Sequence, residues 1–150
     1  MEVQRGCLVM LLIVSGYVAP SHYPCGALTV PKRPLKTVKR DPIAVLDYRS
    51  IAKDELVETD FRVLSETTEN NEYIVKAWLH KPPRQPGALK WYWMPEQKTD
   101  EVLIIKFSDS ASAEDENVAA GCIHCSPIVP GTEEEEARCS VECRVYVFWD

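Results

Sequence analysis

The sequence predicts a mostly β protein with a few short helices, and three observations support this fold class. Several segments of strand length are rich in β-branched and aromatic residues. The segment from Ser140 to Trp149 alternates with a period of two, as a β-strand does. After Val57 the sequence contains no convincing amphipathic helix. Together these features indicate part of a sandwich or of a barrel-like pair of sheets.

The first thirty residues differ in character from the rest of the chain. Residues 6–19 form an apolar run that follows one basic residue, Arg5. The run is shorter than a helix that spans a membrane. It resembles the core of a signal peptide, while a buried strand or helix and a gene-model artefact are two further interpretations. We therefore divide the chain into an atypical N-terminal segment, residues 1–30, and a β domain, residues 31–150.

Residues 31–56 are predicted to contain an extended connector, a short apolar run and a helical turn. Prolines at 31, 34 and 42 predict an extended connector over residues 31–42, because proline fixes its own backbone angle and pushes its neighbour out of the helical region. A short apolar run follows at residues 43–48. A helical turn is predicted from Ile51 to Leu56, with Ser50 as its N-cap.

Four later segments are predicted as strands: Tyr73–Leu79, Trp91–Trp93, Glu101–Phe107 and Ser140–Trp149. A proline-rich loop follows the first of them, and Pro95 ends the second. In the last segment three valines and Cys143 fall on one face, and Ser140, Glu142 and Arg144 fall on the other.

The charge of the chain argues against a nucleic-acid partner. The formal net charge is -6 and the sequence pI is about 5.1, whereas binding to phosphates needs a basic face. The acidic run Glu133–Glu136 and the basic cluster between Lys32 and Arg40 are each predicted to be solvated. An anionic partner for the basic cluster stays open. The short apolar run at residues 6–19 predicts no membrane partner either.

Six cysteines raise the question of a metal site. Cys122-x2-Cys125 and Cys139-x3-Cys143 have the spacing of a four-thiolate zinc site. The second pair lies in a predicted strand, where its members would be about 13 Å apart. Zinc needs each sulfur at about 2.3 Å. Buried thiols are therefore the favoured interpretation, and a zinc site is the rival one.

Two polar residues near the C-terminus form a candidate binding site. Arg138 and Ser140 are two residues apart and would project from one face of a strand. A guanidinium and a hydroxyl together suit a carboxylate ligand. On spacing alone, a surface ion pair of Arg138 with Glu135 or Glu136 is the better interpretation. His124 precedes this strand and follows an acidic loop.

The chain from Arg33 onward resembles the C-terminal portion of the fungal hydroxylase/desaturase family typified by AsaB and CmcJ. The resemblance covers about three-quarters of the chain, and its blocks occur in the order found in the family. Those blocks are RPLKTVKRDPIAVLDYRS (33–50), KWYW (90–93), TDEVLIIKFSDS (99–110), His124 and RCSVECRVYVF (138–148).

This resemblance implies a partial double-stranded β-helix, which is a jelly-roll-like fold, with a non-haem Fe(II) site and 2-oxoglutarate as co-substrate. His124 matches the family's second iron-binding histidine. Arg138, with Ser140 beside it, matches the place where related oxygenases anchor the far carboxylate of 2-oxoglutarate, and Arg144 is the alternative anchor. The implied partner is a small organic substrate, and the implied location is the cytoplasm. The aromatic block at residues 91–93 is expected to pack in the core.

The sequence departs from the family at the other iron ligands. The family supplies two of them as His-x-Asp, and this sequence contains no His-x-Asp or His-x-Glu. Leu89 also replaces a histidine that usually precedes the aromatic block. We therefore expect a truncated, inactive oxidoreductase of secondary-metabolism type that does not bind Fe(II) and 2-oxoglutarate productively and is poorly soluble. The alternative is a non-catalytic β-domain held by four cysteines on zinc, and secreted if residues 6–19 act as a signal peptide.

Overall fold

A computed structural model describes residues 11–12, 25–64 and 72–149. These residues form ten strands and three 3-10 helices, so the prediction of a mostly β fold with a few short helices is confirmed. The strands are β1 (Leu11–Leu12), β2 (Cys25–Pro34), β3 (Ala44–Leu46), β4 (Leu56–Leu64), β5 (Glu72–His80), β6 (Trp91–Trp93), β7 (Leu103–Asp109), β8 (His124–Cys125), β9 (Ser140–Glu142) and β10 (Val145–Trp149). The 3-10 helices are Tyr48–Ser50, Lys53–Glu55 and Ser110–Ala113. No helix in the described ranges is long and apolar enough to cross a bilayer.

The strands form three antiparallel sheets. The order of the first is β10-β2-β7, with β9 also paired to β2, and the order of the second is β6-β3-β8. The third sheet has the order β1-β5-β4 and consists mainly of the long β4–β5 hairpin. Of residues 6–19, the structure describes only Leu11 and Leu12, which pair with Trp78 and Ala77. The rest of that run lies outside the described residues.

The main hydrophobic core lies between the first and second sheets. Leu28 and Val30 of β2 pack there with Ile105 and Phe107 of β7, and Val45 of β3 packs against them from the second sheet. Because side chains alternate along a strand, one face of β2 points into this space. The boundary predicted at residue 30 lies inside β2.

A second hydrophobic cluster joins the remaining elements to this pair of sheets. Leu46 and Ile123 are buried at its centre, and Leu56, Trp78 and Trp91 pack around them. Trp91 therefore takes part in packing, as the sequence predicts for the aromatic block, although Tyr92 of the same strand is exposed. Because Ile123 is buried in this cluster, it holds the neighbouring backbone of His124 in place.

Proline at position 31 accounts for one error in the sequence-based prediction. The predicted single strand Ser140–Trp149 is broken at Cys143 and Arg144 into β9 and β10. The carbonyl of Pro31 accepts a hydrogen bond from the Cys143 backbone N–H (3.3 Å), so the proline nitrogen faces the same side of β2. That nitrogen carries no hydrogen and cannot donate to the ladder, and the pairing stops there.

The predicted connector and helical turn need further corrections. Residues 31–34 belong to β2, so only the segment after Pro34 connects to β3. The helical turn predicted from Ile51 to Leu56 is present as the 3-10 helix Lys53–Glu55. Ser50, its predicted cap, belongs to the preceding 3-10 helix, which Asp47 caps by accepting a hydrogen bond from the Arg49 backbone N–H. Leu56 begins β4, a strand that was not predicted. Predicted strands at 73–79, 91–93 and 101–107 are confirmed within two residues at each end.

Candidate carboxylate and metal-ligand site

His124 lies between the two main sheets. Its strand β8 pairs with β3, where Val45 is its partner, and its ring is 5.5 Å from the ring of Phe107 in β7. The Nδ1 atom of His124 is 3.0 Å from the backbone carbonyl oxygen of Cys122. Because a carbonyl can only accept, Nδ1 must carry the hydrogen, which leaves the lone pair of Nε2 available to a metal ion.

The surroundings of His124 favour its neutral form. Burial lowers the pKa of the imidazole below its ordinary value of 6.5, and the ammonium of Lys32 lowers it further. The hydrogen bond to Cys122 and the carboxylate of Glu142 act in the opposite direction. A neutral imidazole is the form that binds a metal, so the protonation state of His124 suits a ligand role.

Arg138 and Ser140 are in direct contact. The Nη1 atom of Arg138 donates to the Ser140 hydroxyl at 2.6 Å, and its Nε donates to the backbone carbonyl of Asp41 at 2.8 Å. Asp41 has a positive φ of 56°, which an aspartate tolerates better than most residues. These two bonds fix the plane of the guanidinium and leave its Nη2 without a hydrogen bond to any residue of the described ranges.

The ion pairs proposed for Arg138 from spacing alone are made by other residues. Glu135 pairs with Lys39, and Glu136 pairs with Lys36. Arg144, the alternative anchor, lies in the break between β9 and β10. Its charge helps to lower the pKa of Glu142, although the hydrogen bond from Lys32 is the largest cause.

Lys32 and Glu142 are neighbours of His124 that sequence reasoning missed. Lys32 is opposite Glu142 in the pairing of β2 with β9, and their side chains form an ion pair. Lys32 shares the inward face of β2 with Leu28, Val30 and Pro34. The sequence alone predicts that Lys32 lies in a solvated basic cluster. Lys32 is two or four residues from each of these buried residues, and this spacing could have predicted that its side chain points inward.

The described residues do not form a complete metal site. No group of three or more histidine, cysteine, aspartate or glutamate side chains in residues 25–64 and 72–149 could hold an ion. Among these residues, His124 therefore lacks the two further ligands that a non-haem iron site needs. Cys122, Cys125, Cys139 and Cys143 form no disulfide within the described residues and do not gather into the rival zinc site either. Burial raises the pKa of the Cys122 thiol.

Two other features lie apart from this site. The His80 side chain is only 2% exposed, and its Nε2 is 3.4 Å from the Glu55 carboxylate at the base of the β4–β5 hairpin. A cavity of about 280 Å³ is lined by Val38, Trp93 and Thr132, among others, and contains none of the candidate residues. Neither feature adds a ligand to His124.

Comparison with known proteins links the chain to one family. A family model described as an oxidoreductase/YMDC permease-like domain matches residues 32–148. A gibberellin cluster GA4 desaturase of Gibberella fujikuroi is 40% identical over 126 residues, which are 82% of this chain and 34% of that protein. The hydroxylase/desaturase asaB of Aspergillus flavus is 33% identical, with 79% of this chain and 53% of that protein covered.

Two further similarities agree with these matches. The alpha-ketoglutarate-dependent dioxygenase tstK of Talaromyces stipitatus is 34% identical and covers 78% of this chain and 39% of its own length. The solved structure of the iron and alpha-ketoglutarate-dependent endoperoxidase NvfI superimposes with a TM-score of 0.61 at 26% identity, over 83% of this chain and 42% of that one.

These comparisons confirm the resemblance to the hydroxylase/desaturase family and the partial double-stranded β-helix that it implied. The chain spans 34% to 53% of the curated relatives described above. They do not test the roles of His124, Arg138, Ser140 and Arg144, which remain predictions.

Proposed function

This chain belongs to the oxidoreductase/YMDC permease-like domain family, among its fungal hydroxylases and desaturases, and on that premise we propose a specific role for it. It provides the part of an iron- and 2-oxoglutarate-dependent oxygenase that carries one iron-binding histidine, His124, and the anchor for the co-substrate carboxylate, Arg138 with Ser140. The complete enzyme would hydroxylate or desaturate a small organic molecule.

The contact between Arg138 and Ser140 is the observation that carries this proposal. A guanidinium whose Nη2 has no hydrogen-bond partner in the described part of the chain can bind a carboxylate together with the adjacent hydroxyl. Charge-assisted hydrogen bonds of this type are among the stronger ones in proteins. The guanidinium is held by a backbone carbonyl rather than by a competing carboxylate. The charge of the Arg138 guanidinium is therefore available to an anion that comes from outside the chain.

We further propose that the polypeptide as written is not a competent oxygenase. The sequence has no His-x-Asp motif, and Leu89 packs into the second hydrophobic cluster at the position where the family usually has a histidine. One histidine cannot replace three iron ligands. Fe(II), when bound in a complete site, activates oxygen, and this chain would contribute His124 to that site.

The test is the binding of 2-oxoglutarate and of Fe(II) to the purified chain, measured separately by calorimetry in the absence of oxygen. We expect 2-oxoglutarate to bind and Arg138→Leu to weaken it about tenfold or more, because a charge-assisted contact is lost. Arg144→Leu tests the alternative anchor. Arg62→Leu, at an exposed arginine of β4, is the matched control and should have no effect.

We expect no tight Fe(II) binding and no succinate from 2-oxoglutarate in air. Tight iron binding that disappears in His124→Ala would show that a complete site exists and would overturn the proposal of incompetence. One zinc ion held through cysteines, without 2-oxoglutarate binding, would instead favour the non-catalytic β-domain.

A further inference from the structure

Lys32 is an unusual residue for the interior of a pair of sheets. It occupies the inward face of β2 between Val30 and Pro34, both buried, and its own side chain is only 14% exposed. A lysine ammonium that is largely removed from water needs an anionic partner, because an unpaired buried charge is very costly. In this structure the partner is Glu142.

The two members of this ion pair are not equally confined. The Glu142 side chain is 54% exposed, so its carboxylate can rotate into solvent at little cost. Lys32 lies in the central strand of its sheet, and its side chain is only 14% exposed, so its ammonium has much less access to water. Any anion that enters the space between the sheets would therefore meet a fixed cation whose present partner can leave.

The pair also lies beside the rest of the candidate site. In the pairing of β2 with β9, Lys32 is opposite Glu142 and Pro34 is opposite Ser140. Ser140 and Glu142 consequently share the face of β9 that faces Lys32. The charges of Lys32 and Glu142 also act on the pKa of His124, in opposite directions.

We propose that Lys32 is a second cationic anchor for a dicarboxylate ligand, and that Glu142 is an internal carboxylate which this ligand displaces. The inference rests on the proposed function and adds to it, because Arg138 and Ser140 account for only one carboxylate. No covalent step is involved. The ligand exchanges one carboxylate–ammonium contact for another, and Glu142 moves into water.

The experiment is a titration of the full chain with 2-oxoglutarate in the absence of iron, followed by calorimetry. Lys32→Met should weaken binding about tenfold or more, because a charge-assisted contact is lost. Glu142→Gln should tighten it several-fold, since the internal competitor is removed. The exposed ion pair Lys36–Glu136 offers matched controls, and Lys36→Met and Glu136→Gln should change nothing.

Thermal melting of each variant checks that it is folded. If Lys32→Met does not fold, Lys32→Arg is measured in its place. Lys32→Arg keeps the charge and should retain binding, whereas loss of binding in this folded variant would count against a simple charge contact. If Arg138→Leu weakens binding while Lys32→Met and Glu142→Gln leave it unchanged, the present inference fails and the proposed function survives. If neither the wild type nor Glu142→Gln binds 2-oxoglutarate, both fail. If binding occurs only in Glu142→Gln, the displaceable carboxylate is supported.

Discussion

The side chain of His124 experiences opposing influences that leave it neutral. Burial acts against the protonated form, and the nearby ammonium of Lys32 acts in the same direction. The Cys122 carbonyl selects the tautomer with hydrogen on Nδ1. A single residue thus combines the correct protonation state and the correct tautomer for a metal ligand, even though the described residues provide no partner ligands.

The lowered pKa of His124 predicts how stability depends on pH. As the pH falls below 6.5, the ordinary pKa of histidine, the unfolded chain takes up a proton before the folded chain does. The free energy of unfolding should therefore decrease between 6.5 and the lowered pKa of the folded state. Urea unfolding at a series of pH values measures this decrease.

His124→Gln is the comparison for that measurement, because glutamine does not titrate. Carboxylates whose pKa is lowered, such as Glu136 and Glu142, lose their contribution only below their ordinary value of 4.5 and so act in a separate range. If the free energy of unfolding falls between pH 6.5 and 5 by the same amount in His124→Gln as in the wild type, His124 is not the cause of the decrease.

Some of these residue contacts could be predicted from the sequence and others could not. Arg138 and Ser140 are neighbours because a strand repeats every two residues, which is local information. The contact of Lys32 with Glu142 joins residues 110 positions apart and depends on the pairing of β2 with β9. No local pattern encodes that pairing, so the two charged residues that act on His124 escaped prediction.

Among the elements, β2 organises the first sheet. It pairs with β7 on one side and with β9 and β10 on the other. Pro31 limits this pairing and creates the break between β9 and β10 described above. Arg144 lies in this break and outside the ladder. The segment that was predicted as one strand therefore forms two short strands.

The approach of β10 to β2 predicts the effect of a small change at Gly26. A methyl group at this position would lie 3.0 Å from Cδ1 of Phe148 and 3.2 Å from the carbonyl oxygen of Val147. The ring can move, but the carbonyl can move only with β10. Gly26→Ala should therefore destabilise the protein by about 1–3 kcal/mol, as overpacking does.

The midpoint of urea unfolding measures this change. The same substitution in a Phe148→Leu background should cost less, because one of the two close contacts is relieved. If the midpoint is unaffected by Gly26→Ala, the pairing of β2 with β10 is looser than the structure indicates.

The strands that were predicted correctly are those whose own residues favour β-structure. β5, β6 and β7 are rich in β-branched and aromatic residues and were located correctly. β4 carries Glu58, Asp60 and Arg62, and is a strand because each of its nine residues has a partner in β5. β2 contains two prolines and is a strand because three neighbours pair with it.

For the whole molecule, exposed apolar surface is the main feature. The first sheet has an outer apolar face, formed by Ile104, Val141, Val145, Val147 and Trp149, all of them exposed. Patches of this kind favour association.

We therefore expect the protein to self-associate as its concentration rises. Sedimentation velocity over a range of concentrations measures this, and the double substitution Ile104→Lys and Val147→Lys should shift the distribution toward monomer. Leu35→Lys, at an exposed leucine outside the outer apolar face, is the control and should have little effect. A wild-type chain that stays monomeric at every concentration and melts cooperatively would contradict this expectation.

The pairing of Cys25 with Trp149 also affects when the protein can fold during its synthesis. β2 is translated early, yet one of its edges stays unpaired until β10 has left the ribosomal exit tunnel. Throughout that interval the strand offers its free backbone groups to other chains and to chaperones. Because the first sheet closes only through contacts between distant parts of the chain, its formation should be slow.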